Sequence, residues 1–183
     1  HDFLYAAELG FSIKLLAIAK KESDGIQIRV HPALIPQDKL LAKVDGPYNA
    51  IEITGDLLGP VTFHGIGAGS LPTTSSLAAD LLRIAKKIRD KIRPPSRQHL
   101  YKTIKVKSVG LLKTQHYVRM TIADQPGVLA QISRVLGNLD ISIASVIQKD
   151  SRPDAKTAEL VVMTHPSIDE SFKKAMAEIL KID

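Results

Sequence analysis

The stretch that decides the fold is the last third of this 183-residue chain, which opens with Tyr117-Val118-Arg119-Met120-Thr121-Ile122-Ala123. This segment alternates as a strand does when one of its faces is buried. A turn follows at 124–127, and the residues after it carry apolar side chains at helical spacing. The members of that helical stripe are Val128, Ile132, Val135 and Leu136, with Gly137 closing the helix. The pattern predicts a strand, a turn and an amphipathic helix.

The remaining residues of this last third predict two more strands and a second helix. We expect strands at 141–148 and 158–164, joined by a polar hairpin loop at 150–156. Ser167-Ile168-Asp169-Glu170 has the order of a capping box before the last helix. The order β-α-β-β-α is that of a small ferredoxin-like sandwich without its final strand. The open sheet edge would stay free or be completed by another chain.

The first third of the chain reads as short strands separated by turns. Residues 12–19 are strongly apolar, which predicts a strand buried on both faces, and 26–30 alternate after a hairpin turn ending at Asp24-Gly25. Pro32 and Pro36 are expected to stop that strand, because proline removes a backbone donor. Further strands are predicted at 49–54 and 61–63. The expectation is an antiparallel or mixed sheet, arranged as a meander of three or four strands.

An amphipathic helix is predicted from about Pro72 to Arg89, packed against that sheet, and Pro94-Pro95 ends the helical pattern. Between Arg83 and Arg119 the sequence holds 12 Lys or Arg against one acid, Asp90. The net charge of +6 therefore comes from this central stretch. Within it, 103–112 has strand character. The predicted fold is α+β, with a first domain at 1–93, a basic linker at 94–115 and a second domain at 116–183.

Composition excludes several functional classes. The chain has no cysteine, which rules out disulfides, thiolate metal sites and a cysteine nucleophile. No apolar run approaches the ~20 residues that a membrane helix needs, so we expect a cytoplasmic protein with no membrane partner. The six histidines are scattered, and no metal site is predicted. The chain opens on His1 rather than Met, which leads us to expect a piece of a longer protein.

Two turns at predicted helix starts are candidate binding sites. Gly65-Ile66-Gly67-Ala68-Gly69 runs from a strand into a helix, where bare backbone amides can approach an anion. Its spacing is not the dinucleotide fingerprint, and a tight crossover explains it equally well. The second turn, Asp124-Gln125-Pro126-Gly127, can present amides and side-chain oxygens to a small zwitterion. A capped helix start without a ligand is the alternative there.

Several separated motifs resemble homoserine dehydrogenase. They are Gly10-Phe11-Ser12-Ile13-Lys14-Leu15-Leu16-Ala17, Val30-His31-Pro32-Ala33-Leu34-Ile35-Pro36, Asn49-Ala50-Ile51, Gly55-Asp56, and the glycine turn with Pro72-Thr73. Residues 116–183 resemble an ACT domain, through Asp124-Gln125-Pro126-Gly127-Val128-Leu129-Ala130 and the segment 141–148. The resemblance is to the C-terminal portion of the enzyme, namely the end of the catalytic, dimer-forming domain and its regulatory appendage.

This resemblance implies NAD(P)-dependent interconversion of L-aspartate 4-semialdehyde and L-homoserine, on the route to threonine, methionine and isoleucine. It places Gly67, Ala68, Gly69 and Thr73 at the nicotinamide end of the cofactor. It implies no catalytic residue in this segment, because the Rossmann domain and the catalytic lysine precede it in the family. We expect the isolated segment to be inactive.

The resemblance also implies partners. A homodimer would form through the catalytic-domain sheet, with the ACT units paired, and an amino acid, with threonine as the candidate, would bind there. The expected effector residues are Asp124, Gly127, Asn138, Asp140 and Gln148. Two alternatives stand beside this interpretation. One is a stand-alone amino-acid-binding module without catalysis; the other, a nucleic-acid binder, is disfavoured because the predicted strands carry few aromatic residues.

Overall fold

The computed structural model describes residues 1–92, 104–152 and 156–182. The first part holds two helices and four strands: α1 (Asp2–Glu8), β1 (Phe11–Glu22), β2 (Gly25–Pro36), β3 (Tyr48–Gly55), β4 (Gly59–Ile66) and α2 (Ser70–Arg89). The second part holds five strands and two helices: β5 (Lys113–Thr114), β6 (Tyr117–Ala123), α3 (Val128–Asn138), β7 (Ile143–Arg152), β8 (Thr157–Thr164), β9 (Ser167–Ile168) and α4 (Asp169–Ile179). The predicted α+β class is confirmed.

The four N-terminal strands form two separate antiparallel ribbons, not the predicted continuous meander. β1 pairs with β2, and β3 pairs with β4 in a register that sets Ile51 opposite Phe63. The strand runs through Pro32, so the prediction that this proline stops it is wrong, but it ends at Pro36 as predicted. Among the described strands only β1 pairs with β2, and the other edge of β2 carries an isolated bridge from Ile26 to Val106; proline is tolerated on such an edge strand.

Burial in the N-terminal strands and in α2 is lower than the sequence pattern predicts. No residue of β1 is fully buried, so the expectation of a strand covered on both faces is wrong. The predicted helix exists, but none of its residues is buried, and Leu77, Leu81 and Ile88 of its apolar stripe are exposed. The expected packing of this helix against the sheet is therefore not found among the described residues.

The C-terminal part has the predicted β-α-β-β-α order. Its sheet has the strand order β6-β8-β7, entirely antiparallel. Both helices cover one face of this sheet, where Ile132, Leu136, Leu160, Val162 and Ala175 form the buried core. Alternation along β6 and β8 and the three- and four-residue spacing on α3 both point at this core, which is why the pattern predicted it well.

Two local predictions are wrong, and one helix was missed. Residues 104–112 hold a single parallel bridge, Val106 with Ile26, and a 3-10 turn at Val109–Leu111 in place of a strand. The capping box does not form, because Ile168 is the N-cap residue and makes no side-chain capping bond. The Ser167 hydroxyl lies buried without a hydrogen-bond partner among the described residues. Helix α1 was not predicted at all.

The chain divides into two compact units that do not follow sequence order. One contains His1–Tyr5, Leu16–His31 and the described residues from Ile104 onward. The other contains Ala6–Leu15 and the described residues from Pro32 to 92. The end of the β1–β2 hairpin therefore belongs to the same compact unit as the three-stranded sheet. Residues 94–103 of the predicted linker lie outside the described residues, whereas 104–115 are described.

Candidate functional site

The glycine turn connects β4 to the start of α2 and is held by backbone bonds. The amides of Gly67 and Ala68 both donate to the Pro47 carbonyl, at 3.1 and 3.4 Å. A Cβ on Gly67 would lie 1.8 Å from Asn49 Nδ2, so this glycine makes room for a neighbouring side chain. Gly69 has a φ of +123° and serves as the N-cap residue of α2. Local packing therefore accounts for the first two residues of the predicted cofactor site.

The donors left for a ligand lie at the first turn of α2. The amides of this turn have no intrahelical acceptor, and the positive end of the helix dipole lies there. The Thr73 hydroxyl donates to the Gly69 carbonyl at 2.8 Å, which ties the turn to the helix and leaves the oxygen lone pairs as acceptors. Pro72 has no N–H, and the Thr73 amide also donates to the Gly69 carbonyl at 3.3 Å, so the remaining amide donors of this turn are those of Ser70 and Leu71.

The second predicted turn leads from β6 into α3. The Asp124 amide donates to the Lys156 carbonyl at 2.9 Å, which fixes the turn to the start of β8. Gly127 is left-handed with φ +94° and is the N-cap residue of α3, without any side-chain capping bond. Pro126 directly precedes this N-cap residue. A Cβ on Gly127 would have nothing within 4 Å, so the space beside it is open.

The five predicted effector residues are not brought together within one chain. Asp124 and Gly127 precede α3, whereas Asn138 ends it and Asp140 follows it, about 16 Å away for 11 helical residues. Asp140 adopts a left-handed φ of +57°. Gln148 is exposed on β7, which is an edge strand of the three-stranded sheet. A single small amino acid is too short to contact both ends of α3 at once.

A polar network on the other face of this sheet was not predicted. Asp2 of α1 accepts hydrogen bonds from the Tyr117 hydroxyl at 2.9 Å and from Arg119 Nε at 2.7 Å. Arg119 Nη1 also donates to Glu159 at 2.5 Å. The Tyr5 hydroxyl donates to the other oxygen of Glu159. The first turn of α1 is thus fastened to β6 and β8 by one arginine between two carboxylates.

The network shifts the pKa values of its members. The hydrogen bond from Arg119 lowers the pKa of the Asp2 carboxyl, and the bond from Tyr5 followed by that from Arg119 lowers the pKa of Glu159. Burial, followed by the hydrogen bond to Asp2, raises the pKa of Tyr117 to about 12. Both carboxylates therefore stay charged at neutral pH, as the arginine between them requires.

Sequence patterns gave little signal for this network. Arg119 and Glu159 sit on the polar side of alternating strands, which is typical of a face in water. Helix α1 has only seven residues, too few for a clear helical period. The register that places Arg119 beside Val161 and Thr121 beside Glu159 was the missing information.

Other site chemistries find no support in the described part of the chain. No group of three or more His, Asp or Glu side chains is arranged there to hold a metal. Within the described residues, no helix is both long and apolar enough to cross a lipid bilayer. Tyr117, an aromatic residue of the three-stranded sheet, is tied to Asp2 through its hydroxyl.

A β-α-β-β-α sandwich with an open, left-handed glycine before its first helix is an architecture of the ACT type. Comparison with known proteins agrees: residues 116–183 match the ACT domain family, and residues 1–82 match the homoserine dehydrogenase family. The predicted resemblance to the C-terminal portion of homoserine dehydrogenases is thereby confirmed.

Individual relatives give the same result over nearly the whole chain. The homoserine dehydrogenase of Neisseria gonorrhoeae is 37% identical over 187 residues, covering 100% of this chain and 43% of the relative. That of Synechocystis is also 37% identical, with 100% and 44% covered. The crystal structure of a homoserine dehydrogenase from Thiobacillus denitrificans superposes with a TM-score of 0.85 at 35% identity, covering 100% of this chain and 42% of that one. The chain thus spans about two fifths of the length of its relatives.

Proposed function

We propose that this chain supplies part of a homoserine dehydrogenase: the end of its catalytic and dimer-forming domain at 1–93, a basic linker at 94–115, and an ACT regulatory domain at 116–183. The reaction would be the NAD(P)-dependent interconversion of L-aspartate 4-semialdehyde and L-homoserine, on the route to threonine and methionine. The family match of residues 1–82 is the observation that supports this most. The absence of cysteine agrees with a cytoplasmic enzyme.

We expect this chain alone to contribute a wall of the reaction site without performing the reaction. When bound, NAD(P) supplies or accepts the hydride; the protein must also hold substrate in contact with it and provide a proton donor. The glycine turn offers backbone amides, the Ala68 methyl group and the Thr73 hydroxyl, which already donates its hydrogen bond to the Gly69 carbonyl. The purified chain should therefore not oxidise NADPH in the presence of aspartate semialdehyde. Turnover above a no-protein control would contradict this assignment.

The nicotinamide contact is proposed for the first turn of α2, with Gly69 and Thr73 nearest and Gly67 and Ala68 shaping the turn behind them. The test is titration of nicotinamide mononucleotide into the isotope-labelled chain. The amide signals of Gly69 and Ser70 should move, while those of Gly67 and Ala68, already bonded to Pro47, should move less. Unchanged Gly69 and Ser70 signals at millimolar ligand would refute the contact.

A homodimer is proposed through the β3–β4 ribbon and α2. The cross-strand pairs Ile51 with Phe63 and Ile53 with Val61 lie on one face of this ribbon. All four side chains are exposed, as is the apolar stripe of α2. Exposed apolar surface of this extent marks an interaction surface in soluble proteins.

Sedimentation velocity tests the dimer. Phe63→Glu should shift the chain toward the monomer. Leu57→Glu, at the exposed tip of the same ribbon, is the matched control and should leave self-association unchanged. Equal behaviour of the two variants, or a strictly monomeric wild-type chain, would contradict an interface on this ribbon.

The ACT domain is proposed to bind an amino acid, with threonine as the candidate, where two copies pair. Asp124 and Gly127 lie about one α3 length from Asn138 and Asp140, so a complete site needs groups from two chains. Amide chemical shifts on adding threonine test this arrangement. Gly127 and Gln148 should respond together, and a dilute monomeric sample should lose the response. Shifts confined to Asn138 and Asp140 would refute the assignment of the glycine end.

A further inference from the structure

A cavity of about 350 Å³ lies within the unit that holds the β1–β2 hairpin end and the ACT domain. Its polar lining residues come from β1, β2, β5 and the segment that precedes β5. They are Lys20, Glu22, Gln27, Arg29, Lys107 and Lys113. The volume is at the lower end of the range of small-molecule sites. The cavity contains none of the residues proposed above for cofactor or effector.

The charge of the lining is strongly unbalanced. Lys107 is compensated twice, by Glu22 at 2.6 Å and by Asp24 at 3.0 Å, and Lys20 lies 3.7 Å from the same Glu22. Neither Arg29 nor Lys113 has a carboxylate partner within the described residues. Four cations set against these two carboxylates leave a charge of about two in the cavity wall, which matches a divalent anion.

Arg29 carries unused hydrogen-bonding capacity. Its Nε is buried and has no partner among the described residues. Its Nη1 makes only a long 3.3 Å bond, to Gln27 Oε1. Gln27 is itself 8% exposed, and its amide nitrogen donates to Glu22 at 2.7 Å, so the neighbouring side chains are fixed in place. Arg29 is half-buried, and an unsatisfied donor on it costs free energy, which an oxyanion beside the guanidinium would recover.

The rest of the wall is apolar. Leu111, in the 3-10 turn, and Pro166, just before β9, complete the cavity. An inorganic ion would leave these side chains without a contact. A small phosphate ester would place its oxygens on Arg29 and Lys113 and its carbon atoms against Leu111 and Pro166.

We propose that this cavity is a binding site for the dianionic phosphate group of a small phosphate monoester. The site goes beyond the dehydrogenase and threonine-sensing roles and does not depend on either of them. A monocarboxylate would neutralise only half of the excess charge. A dicarboxylate has the right charge but divides it between two separated groups, whereas a phosphate monoester carries both charges on one group.

The probe is methyl phosphate. Its binding to the full chain is measured by calorimetry and by thermal melting, both at constant ionic strength. We expect saturable binding and a rise in melting temperature. Arg29→Gln and Lys113→Gln should each weaken binding at least about tenfold, the size typical of losing a charge-assisted contact. Lys181→Gln removes the same charge from an exposed position beyond α4 and is the matched control, expected to bind as the wild type does.

The outcomes separate cleanly. Absence of saturable binding, or equal weakening in Lys181→Gln, would overturn the proposal, because either result means that no defined anion site exists. Succinate binding as tightly as methyl phosphate would overturn the phosphate assignment. Lys113 is exposed, so its variant should fold even where Arg29→Gln does not, which circular dichroism checks. A negative result with methyl phosphate would leave the dehydrogenase assignment unaffected.

Discussion

Arg119 joins the N-terminal helix to the ACT sheet by bridging two carboxylates, and its effect should depend on pH. The pKa values of Asp2 and Glu159 are lowered in the folded protein. Their contribution to stability is therefore present above the unfolded pKa values of about 4 and is lost as pH falls through the folded ones. Arg119→Gln should lower the melting temperature at pH 7, and the difference from wild type should shrink steadily below about pH 4.

Thermal melting across this pH range checks the prediction. Lys181→Gln, which removes an equal charge from an exposed position, should change little at any pH. A deficit in Arg119→Gln that stayed constant down to pH 2 would mean that the arginine acts through packing and not through these carboxylates.

Position 67 requires glycine because the Asn49 side chain lies close to it, and not because of its backbone angles. Because a Cβ there would fall 1.8 Å from Asn49 Nδ2, Gly67→Ala should destabilise by about 1 kcal/mol, the low end of overpacking costs, since Asn49 is exposed and can turn away. The double variant with Asn49→Ala should recover most of this loss in urea unfolding. No recovery would point to a ligand or backbone role for the glycine.

At the scale of elements, the sequence predicted those parts where one face meets a core. The bounds of β6 and the existence of α3 and α4 follow from apolar periodicity, because Met120, Ile132 and Leu160 all pack into one cluster. Periodicity carries no information on which strands pair. The pairing of the ribbon that tolerates Pro32 was therefore mispredicted. The capping box at Ser167 was mispredicted for another reason, because it was inferred from the order of residue types alone.

The candidate site was predictable in part for the same reason. Gly127 was singled out because a glycine at a helix start lets a ligand approach the backbone closely, whereas its left-handed conformation came from the structure alone. The network around Arg119 and the basic cavity around Arg29 depend on contacts between residues distant in sequence, such as Asp2 with Tyr117 and Glu22 with Lys107. Only the tertiary structure brings these groups together.

The two apolar stripes should differ sharply in their energetic importance. Leu160 is 0% exposed in the ACT core, so Leu160→Ala should cost about 2–5 kcal/mol. Leu81 on α2 is 59% exposed, and Leu81→Ala should change stability by no more than about 0.5 kcal/mol in dilute solution. Urea unfolding followed by circular dichroism measures both. Equal costs would mean that α2 is buried in the folded monomer.

At the scale of the whole molecule, an ACT domain and a dehydrogenase segment occupy one chain, and their compact units interleave in sequence. The hairpin residues 16–31 and the first turn of α1 share a unit with the ACT sheet. An effector bound to paired ACT domains would influence the dehydrogenase segment only if it prefers one arrangement of the pair.

The most direct test of the account is calorimetric titration of threonine into the purified chain. The account predicts a saturable heat at millimolar or lower ligand, accompanied by a higher melting temperature, and loss of both in Gly127→Val, whose side chain disfavours the left-handed turn. Neither heat nor thermal protection at millimolar threonine would contradict the claim that this chain carries a working amino-acid sensor.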